Sequence, residues 1–294
     1  MVRLETTPQA RGPFWRWAAI LEVAPFVSLP VYFSPSDVLM VTAIPLQDAA
    51  TVEKLRENEL EEARVIQGAM LPSRPLHIGS VLISHEFQPV TEVGGDYLDY
   101  FELSDGNIGL YVGDVSGKGL PAALYAALAV GTLRGVHKTG QAPARVLSVL
   151  NERLHLRGIP GRHTALQYAL FFPTTGEMRI SSAGMPGPLL IRGACCQGLH
   201  VAGIPPGLFP GVSYDEFSLY LEHGDSLLFC SDGLTEARDA NDEEFGVEGL
   251  QKVCAENATA TPLELLEQVF SAIQAFSRGT RQWDDMTAAA FHYE

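Results

Sequence analysis

Five aspartates lie at the ends of predicted β-strands, where a sheet presents its side chains to solvent. Asp114 ends the apolar run NIGLYVGD, and Asp232 ends the apolar run DSLLFCSD. Asp96 follows two glycines at the start of a strand, and Asp284 and Asp285 open the last predicted strand. An ionised carboxylate is costly to bury without a partner, because it loses the hydration that water provides. We therefore expect these groups to share a partner.

Divalent cations are the partner that these residues favour. Carboxylates gathered at one sheet edge raise each other's pKa unless cations lie between them. Oxygen ligands suit Mg²⁺ or Mn²⁺ rather than zinc or copper. Two such ions roughly 3.5–4 Å apart are a common device for hydrolysing phosphate esters. Five neighbouring glycines would let the backbone approach the ions closely: Gly94, Gly95, Gly113, Gly117 and Gly233.

The composition is that of a globular protein rather than a nucleic-acid-binding or zinc-ribbon protein. The chain has 294 residues, 46% of them hydrophobic, enough for one large domain with an appendage or for two small domains. Its net charge of −15 would repel a nucleic acid. The 4 cysteines form no CxxC pair, which indicates a reducing compartment and a cytoplasmic protein. The apolar segment Val23–Ser36 is too short to be a transmembrane helix and is interrupted by prolines.

The first 75 residues divide into two predicted segments. Residues 1–50 are punctuated by prolines and are interpreted as an irregular N-terminal extension or the remnant of an input region. In residues 51–75, apolar residues such as Val52, Leu55 and Ile66 recur in steps of three and four, which predicts an amphipathic linker helix with Thr51 as N-cap and Pro72 at its end. Either one face of this helix packs on the domain, or it forms a short coiled coil that makes a homodimer.

Residues 76–294 have the pattern of an α+β domain. Short alternating strands are joined by tight turns such as TTG, MP and EHG, which we interpret as hairpins. Helices interrupt the strands in pairs, which argues against a doubly wound parallel sheet. We expect two mostly antiparallel sheets stacked face to face, with the helices outside.

Seven separated motifs carry a resemblance to a known family. They are ARVIQGAMLP, VGGDYLDYFEL, VGDVSGKGLPAALYAAL, SSAGMPGPLLI, GIPPGLFP, HGDSLLFCSDGLTEARDANDEEFG and DDMT. In this order they closely resemble the bacterial PPM-type (PP2C-like) serine/threonine phosphatases of the SpoIIE/RsbU family. The resemblance extends from Glu61 to Tyr293.

The resemblance implies both a fold and a reaction. The fold is a four-layer α-β-β-α sandwich preceded by the linker helix. The reaction is hydrolysis of phosphoserine or phosphothreonine on a regulatory protein by a water that bridges two Mn²⁺ or Mg²⁺ ions. The resemblance assigns Asp96, Asp114 and the backbone carbonyl of Val115 to these ions, and Asp232 and Asp284 complete the ligand set.

Other residues near these motifs have less specific interpretations. Gly95 and Asp285 would support the ligands, and Asp285 either holds the last strand or binds an accessory ion. Lys118 either meets the substrate phosphate or is a solvated lysine at the start of a helix. The loop GDVSGKG around it lacks the spacing of an ATP-binding P-loop. Asp99 is interpreted as a capping or supporting carboxylate.

Two features depart from the family pattern or from the composition. Met185 stands in AGMPGP where a histidine is common in the family. The segment SRGTRQW is basic in an otherwise acidic chain. Its Arg278 and Arg281 either help to receive a phosphoprotein or balance nearby carboxylates.

The resemblance also implies the partners, and two other functions remain as alternatives. The usual substrates of the family are phosphorylated anti-sigma factor antagonists of the STAS type, in partner-switching signal transduction. One alternative is a non-catalytic phosphatase-fold scaffold that binds a phosphoprotein. The other is a different two-metal enzyme, such as a nucleotidyl cyclase or a phosphodiesterase.

Overall fold

The protein is described here from a computed structural model. It describes residues 50–136, 140–156 and 158–294 in full, and the backbone of residues 4–6, 17–23, 27–33 and 46–49. The chain divides into two compact units, Met1–Lys54 and Leu55–Glu294.

Three strands lie in the first unit, where the sequence predicted irregular structure. Strands β1 (Leu4–Thr6), β2 (Trp17–Val23) and β3 (Val27–Phe33) form an antiparallel sheet in the order β1-β2-β3. The prolines that suggested an irregular segment are partly compatible with a sheet, because Pro30 lies in an edge strand. The interpretation as an extension or an input region remains a prediction.

Helix α1 (Leu46–Gly68) begins before the predicted N-cap Thr51 and ends before Pro72. Of residues 50–68, Gln67 alone is buried. The predicted apolar stripe is solvent-exposed, with 64% of Val52, 57% of Leu55 and 66% of Ile66 accessible. The prediction that these three residues pack against the domain is therefore wrong, and the coiled coil remains a prediction.

The second unit contains two antiparallel sheets. Their strands are β4 (Leu76–Ile78), β5 (Val81–Gln88), β6 (Tyr97–Glu102), β7 (Ile108–Val115), β8 (Thr164–Phe172), β9 (Glu177–Ala183), β10 (Leu189–Arg192), β11 (Cys195–Gly198), β12 (Phe217–Tyr220), β13 (Ser226–Cys230) and β14 (Met286–Tyr293). The six-stranded sheet has the order β11-β10-β13-β14-β5-β4, and the five-stranded sheet has the order β12-β9-β8-β7-β6. The α+β class with two antiparallel sheets is thus confirmed.

Two of the short turns carry the chain from one sheet to the other. Strand β9 pairs with β8 and β12, whereas β10 pairs with β11 and β13. Strand β12 likewise belongs to the five-stranded sheet and β13 to the six-stranded sheet. The interpretation of the MP and EHG turns as hairpins was therefore wrong, because a turn sequence fixes local geometry but not the sheet that the next strand joins.

The helices cover the outer faces of the sheets. Helices α2 (Gly119–Val136) and α3 (Pro143–Leu156) pack on the five-stranded sheet, and α5 (Gly246–Glu256) and α6 (Pro262–Phe276) pack on the six-stranded sheet beside the short α4 (Asp232–Thr235). By length and composition α2 is the one described helix that could cross a membrane. It nevertheless buries one face against the aromatic residues of the sheet, as the core helix of a globular domain does.

Residue alternation along the strands produces the four layers. In β7, Ile108, Leu110 and Val112 point between the sheets, and Tyr111 points towards the helices. Across the central layer, the rings of Phe171 and the C-terminal strand's Phe291 meet edge to face, 5.0 Å between centroids. The predicted α-β-β-α sandwich is therefore confirmed, with one core between the sheets and one under each helix layer.

Candidate metal centre

The register of the hairpin β6–β7 brings two of the predicted aspartates together. Tyr97 at the start of β6 pairs with Gly113 near the end of β7. Asp96 precedes Tyr97 and Asp114 follows Gly113, so the two carboxylates lie side by side at one end of the five-stranded sheet. Gly113 is required here, because a Cβ at this position would overlap the Tyr97 ring.

The pair β13–β14 places two further aspartates in the six-stranded sheet. Cys230 at the end of β13 pairs with Ala288 near the start of β14. Asp232 follows the first strand and Asp284 precedes the second, so both lie where this pair ends. A Cβ on Gly233 would overlap the backbone carbonyl oxygen of Asp285, so the close approach of these segments requires glycine.

Asp96 is the most deeply buried of these carboxylates. It is 1% exposed, and among the described residues its Oδ2 atom has no hydrogen-bond partner. Burial, and then the neighbouring charge of Asp114, raise the pKa of Asp96 well above its ordinary value. An orphaned buried carboxylate oxygen of this kind indicates a missing cationic partner.

The other carboxylates are linked electrostatically in a chain. Burial and then the charge of Asp232 raise the pKa of Asp114 to about 7. Burial and then the charge of Asp284 raise the pKa of Asp232. The structure therefore brings all four predicted aspartate ligands within electrostatic reach of one another.

Asp285 faces a different direction and fastens a loop. Its Oδ1 accepts a hydrogen bond from the Val90 N–H at 2.7 Å, and its Oδ2 accepts one from the Gly95 N–H at 2.6 Å. A Cβ on Gly94 would lie 2.6 Å from Asp285 Oδ2, so glycine is needed beside the carboxylate. Asp285 thus ties the start of the last strand to the loop that carries Asp96.

Gly95 and Val115 lie against each other behind Asp96. A Cβ on Gly95 would be 3.0 Å from the Val115 carbonyl oxygen and 3.1 Å from the Ala122 side chain. The absence of a side chain at position 95 therefore lets the loop lie directly against the end of β7. The carbonyl predicted as a ligand is in this contact.

Lys118 points into the carboxylate cluster, and Asp99 does not. The Lys118 Nζ lies 3.0 Å from Asp284 Oδ2 and also donates to the Trp283 carbonyl oxygen. Asp99 instead accepts two hydrogen bonds from Arg134 on α2, at 2.9 and 3.1 Å. Lys118 is therefore positioned beside the site, whereas Asp99 joins α2 to the sheet. The interpretation of Asp99 as a capping or supporting carboxylate remains a prediction.

Sequence reasoning missed Gln67 as a residue of this site. Its side chain donates to the Gly94 carbonyl at 2.7 Å and accepts from the Gly94 N–H at 3.0 Å. It is 4% exposed, so both bonds are buried. The only signal in the sequence was one uncharged polar residue within the motif VIQGAM, at the end of a predicted helix.

Arg162 was also missed. Its guanidinium donates to the Ser116 carbonyl oxygen and would collide with a Cβ on Gly117, whose φ is +95°. It thus holds the turn that follows Asp114. Nothing in the sequence around Arg162 indicates this contact, which joins residues 46 positions apart.

Met185 and the basic segment have clear structural positions. Met185 is 8% exposed and belongs to the apolar core between the sheets. A methionine is therefore compatible with this position as a core residue. Arg278 and Arg281 are both exposed, and within the described residues neither has a carboxylate at ion-pair distance.

The residues present fit a divalent-cation site in their chemistry. All the candidate donors are oxygen atoms, the pKa values of three carboxylates are raised, and one buried carboxylate oxygen has no partner. Within the fully described part of the chain, no group of three or more Asp, Glu, His or Cys side chains is arranged so that it could hold a metal ion. The assignment therefore rests on donor chemistry and burial.

Sequence comparison identifies related proteins. Residues 104–294 match the model of the family described as Stage II sporulation protein E (SpoIIE). The chain is 25% identical to "Phosphoserine phosphatase RsbU" of Bacillus subtilis over 247 residues, 81% of this chain and 72% of that protein. It is 28% identical to "Protein IcfG" of Synechocystis over 262 residues, 80% of this chain but only 41% of that longer protein.

Comparison with solved structures identifies the fold. The SiaA-PP2C domain of Pseudomonas aeruginosa superposes with a TM-score of 0.74 at 21% identity, covering 83% of this chain and 99% of that one. The RsbU and RsbW domains of Rv1364c from Mycobacterium tuberculosis superpose with a TM-score of 0.64 at 27% identity, covering 76% of this chain and 62% of that one. Together with the family match over residues 104–294, these likenesses show that the chain belongs to the SpoIIE family and has the PP2C fold.

Proposed function

We propose that this protein is a metal-dependent phosphoprotein phosphatase that hydrolyses phosphoserine or phosphothreonine. Two observations carry the proposal. Asp96, Asp114, Asp232 and Asp284, from four separate segments, lie within electrostatic reach of one another, and one oxygen of the buried Asp96 carboxylate has no hydrogen-bond partner among the described residues. The similarity to a protein named phosphoserine phosphatase supports the same reaction class.

The proposed metal ligands come from the residues described above. Asp96, Asp114, Asp232, Asp284 and the Val115 carbonyl would hold two Mn²⁺ or Mg²⁺ ions. When bound, such ions supply an activated water and neutralise charge on the phosphoryl oxygens. The choice of a hard divalent cation is consistent with one structural neighbour, RsbX, which was crystallised in complex with magnesium.

Neighbouring residues would orient the site and the substrate. Lys118, whose Nζ lies 3.0 Å from Asp284 Oδ2, would donate to a phosphoryl oxygen of the substrate. Asp285 and Gln67 both hydrogen-bond to the loop that carries Asp96. A cysteine nucleophile is disfavoured, because none of the four cysteines has an arginine six positions later to bind the phosphate.

A turnover assay tests the proposal. We expect Mn²⁺ to stimulate hydrolysis of p-nitrophenyl phosphate, EDTA to abolish it, and Asp232→Asn to lower it by at least about 100-fold. The folded state of the variant is checked by circular dichroism. Metal binding without turnover by the wild type would contradict the proposal and favour the scaffold.

The substrate and its setting form the finer part of the proposal. We infer that the substrate is a phosphorylated regulatory protein, specifically a STAS-type anti-sigma factor antagonist in a cytoplasmic partner-switching pathway, and that α1 pairs two copies of the chain. The exposed apolar residues of α1 support the pairing. Capture with Asp232→Asn protein should recover a phosphoserine-containing protein of this type, and light scattering should give the mass of a dimer.

A further inference from the structure

A cavity of about 430 Å³ lies beside the carboxylate cluster and has no role in the reaction proposed above. It lies between α6 and the segment 277–286, and a smaller cavity of about 150 Å³ is lined by Lys118 and Asp284. Arg238 and Trp283 line both cavities, so the two are neighbours. The larger cavity therefore lies next to the carboxylate cluster, on the side of Trp283.

The walls of the cavity combine apolar surface with charged side chains. Trp283 and Leu263 are about half exposed, at 51% and 50%, although both are large apolar residues. The charged side chains on the same walls include Glu86, Glu267 and Arg281. Apolar and charged side chains next to each other suit a peptide, because it brings both kinds of group.

Arg281 is an exposed arginine that lies against an aromatic ring. Its guanidinium lies over the Trp283 ring, 4.6 Å from the ring centroid. Other arginines are paired with carboxylates, for example Arg134 with Asp99 and Arg192 with Asp225. Within the described residues Arg281 has no such carboxylate, so its N–H donors are available to an anion.

We propose that this groove, defined by Leu263, Arg281 and Trp283, binds the stretch of the phosphoprotein next to its phosphoserine, and that Arg281 selects substrates with an acidic residue in that stretch. The proposal rests on the proposed phosphatase function, since it names the part of the substrate that the enzyme recognises besides the phosphate. A guanidinium held over an indole ring can still donate two hydrogen bonds to a carboxylate.

The test compares two short phosphoserine peptides, one with glutamate and one with lysine on both sides of the phosphoserine. The wild type should hydrolyse the glutamate peptide with a kcat/KM about fivefold to tenfold higher, a size expected for an exposed charge pair and its repulsive counterpart. Arg281→Glu should abolish or invert this preference. Each rate is normalised to hydrolysis of p-nitrophenyl phosphate by the same variant, so that any effect on the metal site cancels.

Arg278→Glu is the matched control. Arg278 is an exposed arginine three positions from Arg281 and does not line the larger cavity. The same charge reversal there should leave the peptide preference as in the wild type. An equal loss of preference in both variants would show a general charge effect, and an unchanged preference in Arg281→Glu would show that the groove is not used. Either result overturns the proposal.

A binding measurement separates this proposal from the phosphatase function. Fluorescence anisotropy with fluorescein-labelled versions of the two peptides measures affinity without turnover. Preferential binding of the glutamate peptide that Arg281→Glu removes would support the groove even if no phosphate ester were hydrolysed. Hydrolysis without any difference between the peptides in rate or affinity would instead overturn the groove and leave the phosphatase function intact.

Discussion

At the scale of single residues, the aspartates of this chain have two distinct environments. Asp96 is buried among other carboxylates and has an oxygen without a partner. Asp99, three residues along, is held by the guanidinium of Arg134. The same residue type is therefore destabilising in the first environment and stabilising in the second.

Substitution by asparagine should separate these environments. We expect Asp96→Asn to raise the metal-free stability by about 1–3 kcal/mol, because it removes a buried group with a strongly raised pKa, and to abolish Mn²⁺-dependent turnover. Asp99→Asn should lower the stability by about 1 kcal/mol, because Arg134 loses its ion pair. Urea denaturation in EDTA measures both.

The contradictory outcome is specific for Asp96. This outcome would be an Asp96→Asn variant that is less stable than the wild type in EDTA and that Mn²⁺ stabilises as much as it stabilises the wild type. The buried carboxylate would then have no part in holding a cation.

At the scale of elements, the site depends on places where one segment touches the backbone of another. Gly233 in α4 lies directly against the Asp285 carbonyl oxygen, whereas Gly131 in α2 has nothing within 4 Å of its Cβ position. Both are helical glycines, so they differ mainly in what a methyl group would meet.

Replacing each of these two glycines with alanine should therefore change the free energy of unfolding in opposite directions. Gly131→Ala should stabilise the protein by about 0.5–1 kcal/mol, through the higher helix propensity of alanine. Gly233→Ala should destabilise it by about 2 kcal/mol or more and weaken Mn²⁺ binding, since α4 must move away from β14. Thermal unfolding of both variants, with and without Mn²⁺, checks this prediction; a harmless Gly233→Ala would contradict it.

The end of α1 provides a second contact of this kind. Gln67→Ala would leave the Gly94 N–H and carbonyl buried without partners, a cost of about 1–3 kcal/mol that falls on the loop before Asp96. We expect the Mn²⁺ concentration for half-maximal activity to rise about tenfold. Glu62→Ala, at an exposed polar position of the same helix, is the control and should behave as the wild type. Equal Mn²⁺ dependence in both variants would mean that α1 does not support the site.

At the scale of the whole molecule, the raised carboxylate pKa values link stability to pH. The pKa of Asp114 is raised from 3.8 to about 7, and that of Asp96 is raised in the same direction. Such groups stabilise the folded state fully below their ordinary pKa and lose this contribution as the pH rises through the folded-state value. The metal-free protein should therefore become less stable as the pH rises towards and past 7.

Metal addition should reverse this loss. Because cations compete with protons for these carboxylates, the increase in Tm on adding Mn²⁺ should be larger at about pH 8 than at about pH 5.5. Differential scanning fluorimetry in EDTA and in Mn²⁺ measures the difference, and Asp114→Asn should reduce its dependence on pH. A Tm increase that is as large at the lower pH would contradict the linkage.

The sequence predicted the layers and the strand-end carboxylates because both follow from local patterns. Continuous apolar runs specified β7 and β13, and the ends of these runs placed Asp114 and Asp232 at strand ends. Contacts between distant segments had no such signal. Tertiary packing decides that β9 and β10 belong to different sheets. It also decides the two hydrogen bonds of Gln67 and the contact of Arg162 with the turn after Asp114.

The position of β14 has a consequence for the order in which the protein is made. It lies in the interior of the six-stranded sheet, between β13 and β5, yet it follows every other element along the chain. While the ribosome is still translating the earlier strands, that sheet lacks an inner member, and Asp284 and Asp285 have not been synthesised. Under the proposed function, the nascent polypeptide would therefore gain its complete set of metal ligands, and with it phosphatase activity, only after translation has passed β14.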